Sequence, residues 1–135
     1  MSDAIQRVDT AHRPSCLILE DQALIAFELA AMLEGAGIPV AGPFATCAEA
    51  QTWIAQKPPA LAVLDFRLSD GDCIELVNAL RALSVPVIIY SGWPQEIGSS
   101  SGLRDVTWLE KPTDEAEILA TMAELAPSLF ETAPS

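Results

Sequence analysis

The sequence predicts an α/β fold, a doubly wound five-stranded parallel sheet in the order 2-1-3-4-5. Three observations carry that prediction. Runs that are apolar throughout, such as Leu61-Ala62-Val63-Leu64, alternate along the chain with segments of helical period. Strands without inside–outside alternation belong to parallel sheets covered on both faces. Residues able to do chemistry fall just beyond the carboxyl ends of several of these runs, where ligands bind in such sheets.

The elements follow in order. Residues 15–19 are a short apolar strand. From 22 to 36, Ile25, Leu29, Met32 and Leu33 recur at helical spacing, and Gly35 and Gly37 supply a stop. Residues 38–41 form a second strand, broken by Gly42-Pro43. Thr46 with Glu49 three positions on is a capping-box pattern, opening a helix that ends before Pro58-Pro59. The third strand, 61–64, ends on Asp65. Ile74, Val77 and Leu80 mark a helix lasting to about residue 83. Residues 87–90 and 106–109 are strands four and five, and Asp114 and Glu117 can cap a last helix running to about residue 125. Residues 1–14 and 127–135 read as tails around a domain spanning 15–126. No internal repeat is visible.

Composition narrows the function. Half of the 135 residues are hydrophobic, enough for one sizeable core. The richest apolar stretch, 23–33, is interrupted by Glu28 and is far short of a membrane span. Asp3, Arg7, Asp9 and Arg13 leave no room for the apolar core of a signal peptide in residues 1–14. A soluble, cytoplasmic protein is the expectation. Seven basic against nineteen acidic residues give a net charge of −12, which disfavours nucleic acid and suits a cation or a basic partner. Cys16, Cys47 and Cys73 lack metal-ligand spacing and read as reduced, buried thiols. His12, the only histidine, lies in the polar tail and is assigned nothing.

At the strand ends stand Glu20 and Asp21 after strand one, Asp65 after strand three, Ser91-Gly92 after strand four and Lys111-Pro112 after strand five. The 2-1-3-4-5 order converges them on one crevice. Three carboxylates there repel one another unless a cation shares the site, and Mg²⁺ is the hard ion that takes carboxylate and phosphate oxygens. Asp65 is then the candidate nucleophile for phosphoryl transfer, Lys111 a second positive charge, and Ser91 a hydroxyl donor to a phosphoryl oxygen. Each feature has a plainer reading: a solvated acidic pair, a helix cap at Asp65, a turn at Lys-Pro. Those readings do not explain four coincidences at the same end of consecutive strands.

The set Glu20-Asp21, Asp65, Ser91 and Lys111-Pro112, with Leu64-Asp65-Phe66-Arg67-Leu68 and Asp70-Gly71, resembles the signature of two-component receiver domains. The resemblance covers about residues 15–125. It implies that Asp65 is the phosphoacceptor and that Glu20, Asp21, Asp65 and the backbone carbonyl of Arg67 hold Mg²⁺. It further implies that Lys111 pairs with the phosphate, that the bond to Pro112 is cis, and that Ser91 is the switch hydroxyl. Trp108 stands in the switch-aromatic place, although a tryptophan on strand five is as readily core. The implied donor is a histidine kinase or a histidine phosphotransfer protein.

This sequence departs from the family in two places. Ser69 stands where many receivers have proline. Pro94 and Gly98-Ser99-Ser100-Ser101-Gly102 occupy the place of the fourth helix, which is therefore expected to be shortened, displaced or disordered. The segment 86–93 also resembles the Pro-Phe-x-Phe-Ala-Thr-Gly-Tyr motif of a group of α-proteobacterial single-domain receivers, served by histidine kinases of the HWE or related type. Pro86, Ser91-Gly92 and aromatic Trp93 fit, whereas Val87, Ile89 and Tyr90 differ.

With little chain after Leu125, the expected output is a protein contact, or the domain is a phosphate sink or relay. Arg67 and Trp93, two residues beyond Asp65 and Ser91, are placed to overhang an acyl phosphate and set its lifetime. Two rivals are an Asp-nucleophile phosphatase of the haloacid dehalogenase type and a pseudo-receiver that binds without phosphorylation. The first requires a second acid where Arg67 stands.

Overall fold

The computed structural model describes residues 14–100 and 102–130. Five strands, β1 (Cys16–Leu19), β2 (Val40–Phe44), β3 (Leu61–Leu64), β4 (Val87–Ser91) and β5 (Thr107–Glu110), form one sheet. They pair in the order β2-β1-β3-β4-β5, every neighbour parallel, with Leu19 opposite Leu64, Leu64 opposite Ile89 and Ser91 opposite Glu110. The crossovers are α1 (Ala23–Gly35), α2 (Cys47–Gln56), α3 (Ile74–Ala82) and α4 (Gln95–Ser100), and α5 (Glu115–Leu125) closes the fold. A two-residue antiparallel ladder, Arg67–Leu68 against Gly71–Asp72, folds the chain back between β3 and α3.

The central strands are apolar throughout because both of their faces are covered. Along β1, Leu17 and Leu19 join Leu64, Leu76, Val77 and Ile89 in the core beneath α2 and α3. Cys16 and Ile18 join Leu33, Val63, Ile88 and Met122 beneath α1 and α5. All four β1 residues are fully buried, so the hydrophobic contribution of this strand comes from two cores at once.

Several elements differ from the sequence reading. Gly42-Pro43 does not end β2, which continues to Phe44 and delivers the Phe44 carbonyl to the Glu20 N–H at 2.9 Å. Proline is tolerated because β2 is an edge strand. Gly42 is required there, since its φ is +100° and a Cβ would lie 2.7 Å from the Phe44 nitrogen. The capping box at α2 forms: Thr46 Oγ1 accepts from the Glu49 N–H, and Glu49 Oε1 accepts from the Ala45 N–H and the Thr46 hydroxyl. Asp114 occupies the N-cap of α5, but its side chain makes no capping bond.

The fourth helix is short, six residues, and Pro94 stands just before its first turn, where a missing N–H costs nothing. The tail expected at 127–135 begins with order: Pro127–Phe130 is a 3₁₀ turn that buries Leu129 against the α1/α5 core. Its apolar residues, Leu129 and the adjoining Phe130, show no helical period that would reveal it. Residues 1–13, with His12, and 131–135 lie outside the described residues.

Candidate functional site

The β1–β3 ladder continues one residue past the sheet, the Asp65 N–H donating to the Leu19 carbonyl at 2.9 Å. That bond fixes Asp65 beside the end of β1, where Glu20 is buried, with 3% relative exposure. Glu20 Oε2 accepts the Gln22 N–H at 3.0 Å, turning its carboxylate inward while Asp21 stays exposed. On the other side, the Lys111 N–H donates to the Ser91 carbonyl at 2.8 Å, extending the β4–β5 pairing past Glu110. The Lys111–Pro112 peptide is cis, as is Gly42–Pro43.

From this frame the Lys111 ammonium reaches both buried acids, 2.7 Å from Glu20 Oε1 and 3.0 Å from Asp65 Oδ2. Burial pushes the Glu20 carboxyl above its ordinary value, against the pull of the Lys111 hydrogen bond. For Lys111, burial works to lower the pKa, but hydrogen bonds to Glu20 and Asp65, with their charges, outweigh it and hold the ammonium above its usual value. Carboxylate oxygens of Glu20, Asp21 and Asp65 lie within 4.8 Å of one another. One ammonium against three carboxylates leaves the site short of positive charge, and oxygens at this spacing suit a hard divalent cation.

An open cleft of about 380 Å³ lies above these groups, with Arg67 and Trp93 on its rim. The Arg67 guanidinium sits 5.2 Å from the Trp93 ring centroid, a cation–π contact at the cleft edge. Ser91 is fully buried, and its Oγ accepts the Trp93 N–H at 3.2 Å. Trp108, half-buried on β5, donates its indole N–H to the Trp93 carbonyl at 2.8 Å and packs on Phe66 with centroids 5.5 Å apart. The structure thus brings Glu20, Asp21, Asp65 and Lys111 into one cluster. Ser91 lies one strand away, linked through Trp93 to Trp108.

Three residues have structural roles that the sequence reading did not assign. Asp70, noted only as part of a loop motif, sends both carboxylate oxygens to the N-terminus of α2, accepting from the N–H groups of Cys47 at 3.0 Å and Ala48 at 3.2 Å. Those backbone bonds, led by that from Cys47, hold its carboxyl below the ordinary range. Ser69 Oγ donates to the Ala45 carbonyl, so the tip of the loop after Asp65 is docked on the start of α2 and the residues just before it. Gly98, read as a helix breaker, is buried against the Trp108 ring. No local pattern flags a bond across 23 residues or a close approach between α4 and β5.

The family model described as "Response regulator receiver domain" matches residues 16–123. The chain belongs to that family. It is 32% identical over 111 residues to the phyllosphere-induced regulator PhyR of Methylorubrum extorquens, a match covering 80% of this chain and 42% of that protein. It is 28% identical over 114 residues to the acid tolerance regulatory protein ActR of Rhizobium meliloti, covering 82% and 58%. The chain spans about half the length of the curated relatives it matches. Among solved structures, the receiver domain of Erythrobacter litoralis PhyR superposes with a TM-score of 0.76 at 26% identity, covering 93% of this chain and 98% of that one. A sensor protein from Polaromonas sp. JS666 gives 0.74 at 31% identity, covering 87% and 98%. Receiver domains are signalling switches of two-component systems rather than classical enzymes, and they typically bind Mg²⁺ at an acidic cluster; this chain has an acidic group of Glu20, Asp21 and Asp65. Among the described residues no helix is long and apolar enough to cross a membrane.

Proposed function

We propose that this chain is a phosphoacceptor switch in which Asp65 takes a phosphoryl group from the phosphohistidine of a histidine kinase or a histidine phosphotransfer protein. The observation that carries the reading is the shared Lys111 ammonium, 2.7 Å from Glu20 and 3.0 Å from Asp65, beside a third carboxylate. An Asp65 oxygen attacks phosphorus, the N–P bond breaks, and the imidazole leaves to give an acyl phosphate. Water later cleaves that acyl phosphate to inorganic phosphate and the free carboxylate. Glu20, Asp21, Asp65 and the Arg67 carbonyl would hold Mg²⁺, which when bound neutralises the charge of the moving group.

The residues of the chain supply the rest. Lys111 exchanges part of its carboxylate pairing for a phosphoryl oxygen, and Ser91 donates its hydroxyl to another. Trp108 is the aromatic that senses the change, through the Trp93 carbonyl. The Arg67–Trp93 pair roofs the cleft and slows the attacking water. Leu24 and Phe27 on α1, 71% and 70% exposed beside the Asp21 end of the site, offer apolar contact to the donor. The likeness of 86–93 to the α-proteobacterial group favours an HWE-type kinase as that donor. The same reading puts the protein in the cytoplasm, in keeping with the free thiols of Cys16, Cys47 and Cys73. It takes residues 15–126 as the switch unit, with output through protein contact or service as a phosphate sink.

The test is tryptophan fluorescence during titration with Mg²⁺ and then beryllofluoride, with Asp65→Asn as control and acetyl-phosphate labelling read by mass spectrometry. A saturable, metal-dependent change that disappears in the variant, with an adduct on the wild-type chain, is expected. A silent titration with no adduct would leave the pseudo-receiver reading in its place.

A further inference from the structure

Helix α4 has little reason of its own to form. Gly98, Ser99 and Ser100 are poor helix formers, and six residues are too few for a helix to sustain itself. Its order comes from outside. Leu103 is buried to 1% exposure and donates its N–H to the Gly98 carbonyl at 2.8 Å. At Gly98 itself the place of a side chain is filled by the indole of Trp108: a Cβ there would stand 2.3 Å from Cζ3 and 2.8 Å from Cε3. Real Cβ atoms do not approach so closely, and the backbone of Gly98 is not in the left-handed region. Glycine is required at this position by the ring, not by the turn.

That ring is shared by three elements. It packs on Phe66, the residue after Asp65. Its Nε1–H donates to the Trp93 carbonyl, and the N–H of the same Trp93 donates to Ser91 Oγ. Its six-membered edge fills the notch at Gly98.

We propose that Gly98 is a positioning residue, a notch through which α4 registers the placement of Trp108 and so the state of Asp65. The direction of signalling rests on the phosphoacceptor reading above, whereas the interlock does not. A shift of Phe66 or Ser91 on phosphorylation moves the indole, and a displaced indole no longer fits the notch. With so little intrinsic helicity, α4 then loosens as a unit and changes the surface between residues 93 and 103.

Gly98→Ala separates this proposal from a purely local account by sign. Alanine is the better helix former, so a helix governed by its own propensity would gain protection, its amides exchanging about fivefold more slowly. The interlock predicts the reverse: overpacking against Trp108 speeds exchange at the Ile97 and Leu103 amides by about ten- to a hundredfold. In a Trp108→Val background the notch is empty, and Gly98→Ala should return to slowing exchange. Hydrogen exchange on the full chain reads all four proteins, and acetyl-phosphate labelling runs alongside. Faster exchange in Gly98→Ala with the adduct still forming, reversed by Trp108→Val, is the expected result. Slower or unchanged exchange in both backgrounds would overturn the proposal. If Gly98→Ala does not fold, recovery of a folded chain by Trp108→Val supports the interlock, and failure to recover overturns it. Absence of an adduct on the wild-type chain strikes the phosphoacceptor reading and leaves the exchange comparison standing.

Discussion

Two segments leave the same site and are held in different ways. The loop after β3, residues 66–72, is fixed by polar bonds: Asp70 across the N-terminus of α2, Ser69 on Ala45, and its own two-residue ladder. The segment after β4, residues 92–103, is held mainly by shape: the Trp108 ring in the notch of Gly98, with one indole hydrogen bond to Trp93. The difference assigns roles. Charge-assisted bonds to a helix N-terminus tolerate small shifts of neighbours and make a platform beside the carboxylate–lysine cluster. A packed interlock is either seated or unseated, which is what a two-state element needs.

The comparison breaks first at Trp108. Trp108→Ala removes the ring that α4 and Phe66 share, leaving a half-filled gap that the short α4 cannot close. For a half-buried indole the loss is about 2–3 kcal/mol, below the range for fully buried tryptophan. Chemical denaturation should show it, and exchange should rise in 95–103 before it rises in 66–72. Equal loosening of both segments would mean that they form one unit.

Asp70→Ala is the matching test of the platform and should have a smaller effect. It lowers the thermal midpoint at neutral pH and weakens Mg²⁺ binding, while leaving exchange in α4 nearly unchanged. The pH dependence has a definite sign. The Asp70 carboxyl titrates below its unfolded value, so its stabilisation is present above that value and fades as pH falls through the lowered folded pKa. Wild type and variant should therefore converge in stability in acid. A constant gap down through that range would show that the carboxylate charge is not what docks the loop.

Cys47 gives a finer reading of the same platform. Burial, then the charge of Asp70, pushes its thiol up to about 11, while burial pushes Cys16 and Cys73 to about 12. All three should alkylate sluggishly at pH 8. In Asp70→Ala the Cys47 rate should rise several-fold, and the rates of Cys16 and Cys73 should not.

How much of this was legible in the sequence depends on the range of the interaction. The sheet order and the carboxylate–lysine cluster were legible because each strand is an apolar run and the parallel topology carries strand-end residues to one edge. The continuation of β2 through Gly42-Pro43 was not, because an edge strand forgives a proline that an interior strand would reject. Gly98 reads in sequence as freedom, since the same residue serves flexibility and close approach, and only the indole across the gap tells them apart. Asp70 shows the same limit, its partners lying more than twenty residues upstream.

The smallest effect is expected just beyond the segment 92–103. Arg81 on α3 pairs with Asp105, just before β5, with both side chains well exposed to solvent. Such pairs contribute little and are screened by salt. Arg81→Gln should therefore shift the thermal midpoint slightly at low ionic strength and not at all in high salt, and leave exchange at Leu103 unchanged. A larger, salt-resistant loss, with faster exchange at Leu103, would show that this ion pair anchors the segment from below. The two ways of holding a loop would then not divide cleanly between the two sides of the site.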